Sequence, residues 1–177
     1  FIMDLKRKAP KNITIIDAPM SGATIAANEA TLTFMVGCEK VLFNYVEPLL
    51  GLMGTRINHI GNYGSGMMVK VLNNFIAASS VVSVRHVLHQ AQKFGLDIDA
   101  LFKTIDTSSG QTWFGTNRAD IEWFKENFEN DNTMGILKKD VEAYVDSFEN
   151  EADLDNFVSG ELSASIIKAI NNMPATK

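Results

Sequence analysis

The sequence predicts a layered α/β sheet followed by an all-helical region, with one long helix joining the two parts. The first third alternates short apolar runs with turn residues, which is typical of buried strands and their connections. No strand pattern follows residue 61, whereas apolar residues at helical spacing recur to the end of the chain. We therefore predict two domains, covering residues 1–62 and 63–177.

The first domain is predicted to contain three strands. The opening stretch FIMDLKRKAP indicates the last turns of a helix that ends at Pro10. The run NITIID at 12–17 predicts a buried strand, and APMSGA after it a loop. TLTFMVG at 31–37 predicts a second strand, because its threonine and phenylalanine side chains favour a pleated surface. INHIG at 57–61 predicts a third.

A helix is predicted between the second and third strands, over CEKVLFNYVEPLLGLMG. Proline lacks an amide proton, so Pro48 should kink or restart this helix. The order strand, strand, helix, strand indicates part of a layered α/β sheet. The apolar residues of this helix that recur at helical spacing are Val41, Leu42, Tyr45 and Leu49.

The joining helix is predicted from an interval without helix breakers. Between Gly66 and Gly95 there is neither glycine nor proline, so one helix of about 28 residues, near 42 Å long, can form. It is apolar on nearly every side as far as Val84, which predicts burial against two bodies at once.

The rest of the chain is predicted to be helical. Asp97 is suited to cap a helix, because its carboxylate can accept a hydrogen bond from the first turn. Further helices are predicted over 113–128, 134–148 and 161–172. Trp113 is expected in the core rather than against a ligand.

Composition and charge exclude several classes of function. Of 177 residues, 46% are hydrophobic, which is enough for a core, and the net charge is −5 with a pI of about 5.2. An acidic chain argues against a nucleic-acid partner. Cys38 is the single cysteine, so no disulfide forms within the chain, as in a reducing compartment. We find no secretion signal and no apolar run near about 20 residues, so we predict a soluble cytoplasmic protein without a membrane partner. No metal site is predicted.

The glycine-rich stretch GNYGSGMMVKVLNNF at 61–75 contains candidate functional residues. A loop of this kind between a strand and a helix can belong to a dinucleotide-binding fingerprint. Here Val69 stands where the third glycine of that fingerprint would be, and no second strand follows at the required distance. We therefore do not assign this loop to a dinucleotide fingerprint, although its glycines would let a ligand approach the backbone closely.

One lysine and two amides follow the loop on a strongly apolar helix. Lys70, Asn73 and Asn74 share roughly one helix face, because residues three and four apart are neighbours. A buried ammonium is unfavourable unless it is paired or its pKa falls, and a lysine with a lowered pKa can exchange protons near neutral pH. The alternative is that Lys70 extends to water while the asparagines satisfy the backbone at a kink.

These residues resemble the β-hydroxyacid dehydrogenases, the family of 3-hydroxyisobutyrate dehydrogenase and tartronate semialdehyde reductase. Four stretches resemble the family's motifs in the family's order: DAPMSGA at 17–23 with TLTFMVG, GNYGSGMMVKVLNNF, TSSGQTW at 107–113, and GILKKDVEAYV at 135–145. The resemblance implies the C-terminal half of an NAD(P)-binding Rossmann domain. An all-α domain like the C-terminal domain of 6-phosphogluconate dehydrogenase would follow it.

The resemblance also implies roles for single residues. Lys70 matches the catalytic lysine that takes the hydroxyl proton of a small β-hydroxyacid while hydride goes to NAD or NADP, and Asn74 matches the asparagine that follows it. Ser21, with the backbone N–H groups of Gly22 and Ala23, would bind the substrate carboxylate. Lys139 would reach the cofactor or close the cleft, although Lys139 and Asp140 could equally be an exposed charged pair. The family implies a homo-oligomer.

The sequence departs from the family's pattern at two places. Ala23 stands where a second glycine is usual, which matters if that position needs a positive φ. No G-x-G-x-x-G stretch precedes DAPMSGA, so we expect the chain alone to bind dinucleotide weakly and to expose an apolar sheet edge. The alternative function is a non-catalytic helical dimerisation module with a vestigial pocket. Phosphogluconate-type substrates are less favoured, because Arg118 is the only basic residue near TSSGQTW.

Overall fold

The computed structural model describes residues 2–121, 133–149 and 160–173. The chain forms two compact units, Phe1–Asn73 and Asn74–Lys177. The first holds a three-stranded sheet and the second is helical in its described residues. The predicted fold class is thus confirmed, and the domain boundary after residue 62 stays a prediction.

The first unit is built on the sheet order β1-β2-β3, with β1 antiparallel and β3 parallel to β2. The parallel pair needs a crossover, which α3 supplies between β2 and β3. The elements in chain order are α1 Ile2–Lys8, β1 Met20–Ser21, α2 Ala23–Asn28, β2 Leu32–Gly37, α3 Lys40–Leu50 and β3 Gly54–Gly61.

The central strand β2 carries the core of this unit. Five of its six residues are buried, because it has a neighbour on each edge and a helix on one face. Phe34 and Val36 are 2% and 0% exposed, and Phe43 packs against them from α3. Helix α3 runs through Pro48 and ends two residues later, at Leu50.

The predicted strand at 12–17 was wrong. Only Asp17 makes a bridge, to Gly37, and regular pairing starts at Met20. An extended segment becomes a strand only when a neighbour accepts and donates its backbone hydrogen bonds, and residues 12–16 have no strand beside them in the described chain. The loop predicted over 18–23 holds β1, and the helix α2 after it was missed.

The second unit is formed by the remaining helices. Helix α4, Ser65–Lys93, starts in the first unit and continues into the second, as the breaker-free interval predicted. Asp97 caps the next helix by accepting from the Ala100 N–H at 3.0 Å, as predicted. The later elements are α5 Ile98–Ile105, α6 Trp113–Thr116, α7 Thr133–Tyr144 followed by a π-helical turn Val145–Glu149, and α8 Glu161–Asn171.

The helix predicted over 113–128 is confined to one turn, α6, before residue 117; residues 122–128 lie outside the described part. The core of the second unit joins α4, α7 and α8 through Val81, Val141 and Ile170. Trp113 was expected in this core, but it is 49% exposed and meets Phe114 edge-on at 5.0 Å between ring centroids.

Helix α4 requires a correction to the sequence analysis. It contains an 18-residue window with a mean hydropathy of 1.5, so by length and composition it is able to cross a membrane, contrary to our prediction that no segment approaches that limit. One such helix is weak evidence, since core helices of soluble proteins pass the same test. The absence of a membrane partner stays a prediction.

Candidate functional site

The first feature of the candidate site is a buried carboxylate that accepts hydrogen bonds from the backbone at the start of α4. Asp17 is 4% exposed, and its two carboxylate oxygens accept from the backbone N–H groups of Gly64 at 2.6 Å and Met67 at 2.8 Å. The first N–H groups of a helix have no partner within the helix, and the helix dipole favours a negative charge there. Asp17 therefore supplies what this helix start lacks.

Two glycines allow the carboxylate to come this close. A Cβ on Gly66 would collide with the Met35 carbonyl oxygen and lie 2.8 Å from an Asp17 oxygen, and a Cβ on Gly37 would collide with the Asp17 carboxylate itself. The Asp17 and Gly37 backbones also exchange hydrogen bonds of 3.2 and 2.7 Å. The glycines of GNYGSG and TLTFMVG thus serve the approach of α4 to the sheet.

This arrangement decides what the glycine loop can bind. A pyrophosphate at a helix start needs free N–H groups, and those of Gly64 and Met67 already donate to Asp17. The loop does not fit a dinucleotide phosphate, in agreement with the incomplete fingerprint. Sequence reasoning missed the role of Asp17; the available signal was an aspartate at the end of an apolar run.

Lys70 and Asn74 lie one turn apart on α4, and both are half-buried. Lys70 follows Met67 by three residues, or about 4.5 Å along the helix axis, so the Asp17 contact fixes the turn from which Lys70 projects. Lys70, Asn73 and Asn74 each take part in polar or electrostatic interactions within the protein. Their catalytic assignment stays a prediction.

The proposed carboxylate-binding turn is also tied to Asp17. Ser21 lies four residues after Asp17 and is fixed by strand pairing with Thr33. Gly22 has a φ of 133° and Ala23 a φ of 56°. Ala23 therefore occupies the left-handed region that glycine tolerates best, so the condition under which its replacement of glycine matters is met.

Lys139 lies on α7 and is exposed. Its neighbour Lys138 makes an ion pair with Glu142 at 3.6 Å. Lys139 belongs to the second unit, whereas Ser21 and Lys70 belong to the first. Its cofactor role stays a prediction.

A cavity of about 270 Å³ lies in the first unit where the parallel strands β2 and β3 end. Burial raises the pKa of the Cys38 thiol in its wall, and the Asp17 and Glu39 carboxylates raise it further. Burial and Asp17 likewise raise the pKa of the Tyr63 phenol. The cavity is lined by none of the predicted site residues; its lining is Lys6, Ala9, Pro10, Lys11, Ile13, Thr14, Ile15, Cys38, Glu39, Leu42 and Tyr63.

Comparison with protein families identifies the family to which the chain belongs. Residues 64–173, more than half of the chain, match the family described as NAD-binding of NADP-dependent 3-hydroxyisobutyrate dehydrogenase. The chain belongs to the β-hydroxyacid dehydrogenase family. Residues 4–61 of the chain match the NAD binding domain of 6-phosphogluconate dehydrogenase. The family resemblance predicted from the motifs is thereby confirmed. The members named by the comparisons are NAD- or NADP-dependent hydroxyacid dehydrogenases.

The chain matches curated relatives of this family over part of their length. Mitochondrial 3-hydroxyisobutyrate dehydrogenase of Drosophila melanogaster is 39% identical over 108 residues, which is 61% of this chain and 33% of the relative. The 2-(hydroxymethyl)glutarate dehydrogenase of Eubacterium barkeri is 36% identical over 108 residues, covering 61% and 36%. The matched region is thus about a third of these proteins.

Solved structures agree in fold. Mycobacterium tuberculosis 3-hydroxyisobutyrate dehydrogenase with L-serine superposes with a TM-score of 0.67 at 25% identity, over 88% of this chain and 54% of that one. The Salmonella typhimurium 3-hydroxyisobutyrate dehydrogenase gives a TM-score of 0.69 over 90% and 54%, and its 17% identity supports the fold alone. This chain spans about half of either structure.

Proposed function

We propose that this chain supplies the proton-transfer and substrate-carboxylate residues of an NAD(P)-dependent β-hydroxyacid dehydrogenase. The observation that carries the proposal is the Asp17 contact. It joins DAPMSGA, which bears Ser21, to GNYGSGMMVKVLNNF, which bears Lys70. Two motifs about fifty residues apart in sequence meet at one buried carboxylate.

Lys70 is the proposed general base. In the direction of oxidation its neutral amine takes the proton of the substrate hydroxyl, and in reduction its ammonium returns that proton. Asn74, one turn further along α4, is proposed to hold the hydroxyl or the amine by hydrogen bonding. Bound NAD(P) would supply the acceptor for the hydride that leaves the carbon bearing this hydroxyl. We assign no phosphate contact in the described residues, because Asp17 already takes the loop N–H groups.

The substrate carboxylate is proposed to bind at Ser21, Gly22 and Ala23. The hydroxyl of Ser21 and the two backbone N–H groups are donors of the kind that form anion-binding turns. The compounds named with the relatives share one pattern. 3-Hydroxyisobutyrate, 2-(hydroxymethyl)glutarate and L-serine each carry a primary alcohol on the carbon β to a carboxylate. We propose this class as the substrate.

Turnover with these acids tests the proposal. Reduction of NAD or NADP is followed at 340 nm with 3-hydroxyisobutyrate, glycerate and L-serine. The assay uses the 177-residue chain and any longer product of the same reading frame. Lys70→Ala should lower kcat by about 100-fold or more. Lys70→Arg should be equally inactive, because a guanidinium keeps the charge but does not release its proton. Lys93→Ala, at the exposed end of the same helix, is the matched control.

The outcomes separate the two functions. Loss of turnover in both Lys70 variants, with Lys93→Ala unchanged, supports the dehydrogenase. Activity retained in Lys70→Arg refutes proton transfer by this residue. A folded protein that binds NAD(P) and dimerises but turns over none of a broad hydroxyacid panel supports the non-catalytic dimerisation module instead.

A further inference from the structure

The cavity at the ends of the parallel strands β2 and β3 is separate from the proposed substrate site. Its volume is about 270 Å³, which is room for about nine water-sized groups. Ser21, Lys70, Asn74 and Lys139 do not line it. In open α/β sheets, ligands commonly bind in the crevice outside the carboxyl ends of the strands. The cavity is therefore a candidate site for a second, small ligand.

One part of the cavity lining is positively charged. Lys6, in α1, and Lys11, in the loop after it, both line the cavity. The Lys6 ammonium lies 5.0 Å from the centroid of the Tyr63 ring, whose face attracts a cation. Because Tyr63 also lines the cavity, this contact places the ammonium at the cavity surface. This part of the lining favours an anionic group of a ligand.

Another part of the lining is negative. Glu39 directly precedes α3 and lines the cavity, and its carboxylate makes no capping hydrogen bond to the first turn of that helix. Burial raises the pKa of the Cys38 thiol and of the Tyr63 phenol, and nearby carboxylates raise both further, Asp17 in each case and Glu39 at the thiol. Carboxylates that oppose the ionisation of a thiol attract a cation to the same place. This part of the lining therefore favours a cationic group.

The charges of opposite sign do not neutralise one another. Neither Lys6 nor Lys11 makes an ion pair with Glu39 in the described part of the chain. The space between them is bordered by apolar side chains, those of Ala9, Pro10, Ile13, Ile15 and Leu42. From the separated charges and the small volume we infer that this cavity binds a small zwitterion, an amino acid without a large side chain. Its carboxylate would lie at Lys6 and Lys11, and its ammonium at Glu39.

Titration of the 177-residue chain, followed by the amide NMR signals of Cys38 and Tyr63, tests the binding. The probes are glycine, β-alanine and 4-aminobutanoate, which differ in the separation of their two charges. They have no hydroxyl to oxidise, so the test does not depend on the proposed function. At least one should bind with a dissociation constant near about 1 mM, as expected for so few atoms. Butanoate and butylamine carry one charge each and should bind about fivefold more weakly or less at constant ionic strength.

Substitutions in the lining test the placement of the charges. Lys6→Ala, Lys11→Ala and Glu39→Gln should each weaken binding of the best zwitterion by about threefold or more, because each removes a charge that faces the ligand. Lys8→Ala and Glu47→Gln are the matched controls. They lie on the same helices, α1 and α3, but do not line the cavity, so binding should be unchanged. Circular dichroism verifies that the variants are folded.

The thiol in the lining gives a second measure of occupancy. Cys38 is the single cysteine of the chain, so its alkylation by iodoacetamide is read without background from another thiol. A bound zwitterion should slow this reaction, and butanoate at the same concentration should slow it less. The inference is overturned if none of the three zwitterions shifts the two amides at about 50 mM. Equal binding of butanoate or butylamine, or equal weakening by the control variants, would overturn it as well.

Discussion

Replacing the buried carboxylate of Asp17 should destabilise the protein more than replacing the exposed carboxylates of Asp97 or Asp99. The carboxylate is 4% exposed and accepts two backbone N–H groups, from Gly64 and Met67. A hydrogen bond to a charged group contributes about 1.5–3 kcal/mol, so loss of the two bonds in Asp17→Ala should lower the free energy of unfolding by about 3–6 kcal/mol. Asp17→Asn keeps one acceptor oxygen but turns an NH₂ group toward the second N–H, so we expect a loss of about 1.5–3 kcal/mol.

Two carboxylates of this chain provide the scale for that measurement. Asp97 caps α5 through a single exposed hydrogen bond, so Asp97→Ala should lose only about 1 kcal/mol. The Asp99 side chain is 97% exposed and pairs with Arg118 at 3.4 Å, so Asp99→Ala should change stability by no more than about 0.5 kcal/mol. Urea unfolding by circular dichroism gives the free energies, and hydrogen exchange of the peptide 61–75 localises the effect. If Asp17→Ala loses no more than Asp97→Ala, the carboxylate does not anchor α4.

Two further predictions concern the backbone and the pH dependence. Ala23→Gly should raise the free energy of unfolding by about 0.5–1 kcal/mol, because Ala23 has a φ of 56°. Ala27→Gly, inside α2, should lower it by a similar amount, and equal effects of the two changes would contradict the strain. Stability should fall as the pH rises above about 9, because the Cys38 and Tyr63 groups have raised pKa values and bind protons more tightly folded than unfolded. This contribution is complete below the unfolded pKa values and is lost as the pH passes the folded ones. Urea midpoints from pH 8 to 10.5 measure it, and a Cys38→Ser variant with an unchanged slope would exclude the thiol.

The elements predicted best are those whose signals are local. The long helix was found because an interval without glycine or proline is a property of the sequence itself, and the observed α4 ends near its limits. Asp97 was found because a cap acts within three residues. The strand predicted at 12–17 failed because strand formation depends on a neighbour that no local pattern reveals.

The helix between β2 and β3 shows a second limit of local patterns. Its existence was predicted, but helical spacing does not tell which apolar stripe faces the sheet when a helix carries two. Of the four residues singled out from the sequence, Leu42 packs against the core, whereas Val41, Tyr45 and Leu49 lie outward. Phe43 and Leu50 are the buried residues of the helix. Only the direction in which β2 and β3 bring α3 onto the sheet decides between the two stripes.

The candidate site shows why an anchoring residue is harder to predict than a chemical one. Lys70 and Asn74 stand out because an ammonium and an amide interrupt an apolar helix. Asp17 looks like an ordinary aspartate in a loop, and its partners are the backbone groups of residues 47 and 50 positions away. A sequence does not show which backbone N–H groups will bind a carboxylate, because every residue except proline has such a group. The contact nonetheless determines where α4 starts and which turn presents Lys70, so a change at Asp17 should act on any proton transfer by Lys70 through its position. Asp17→Asn should then reduce turnover, and a folded Asp17→Asn protein with unchanged turnover would contradict this positioning role.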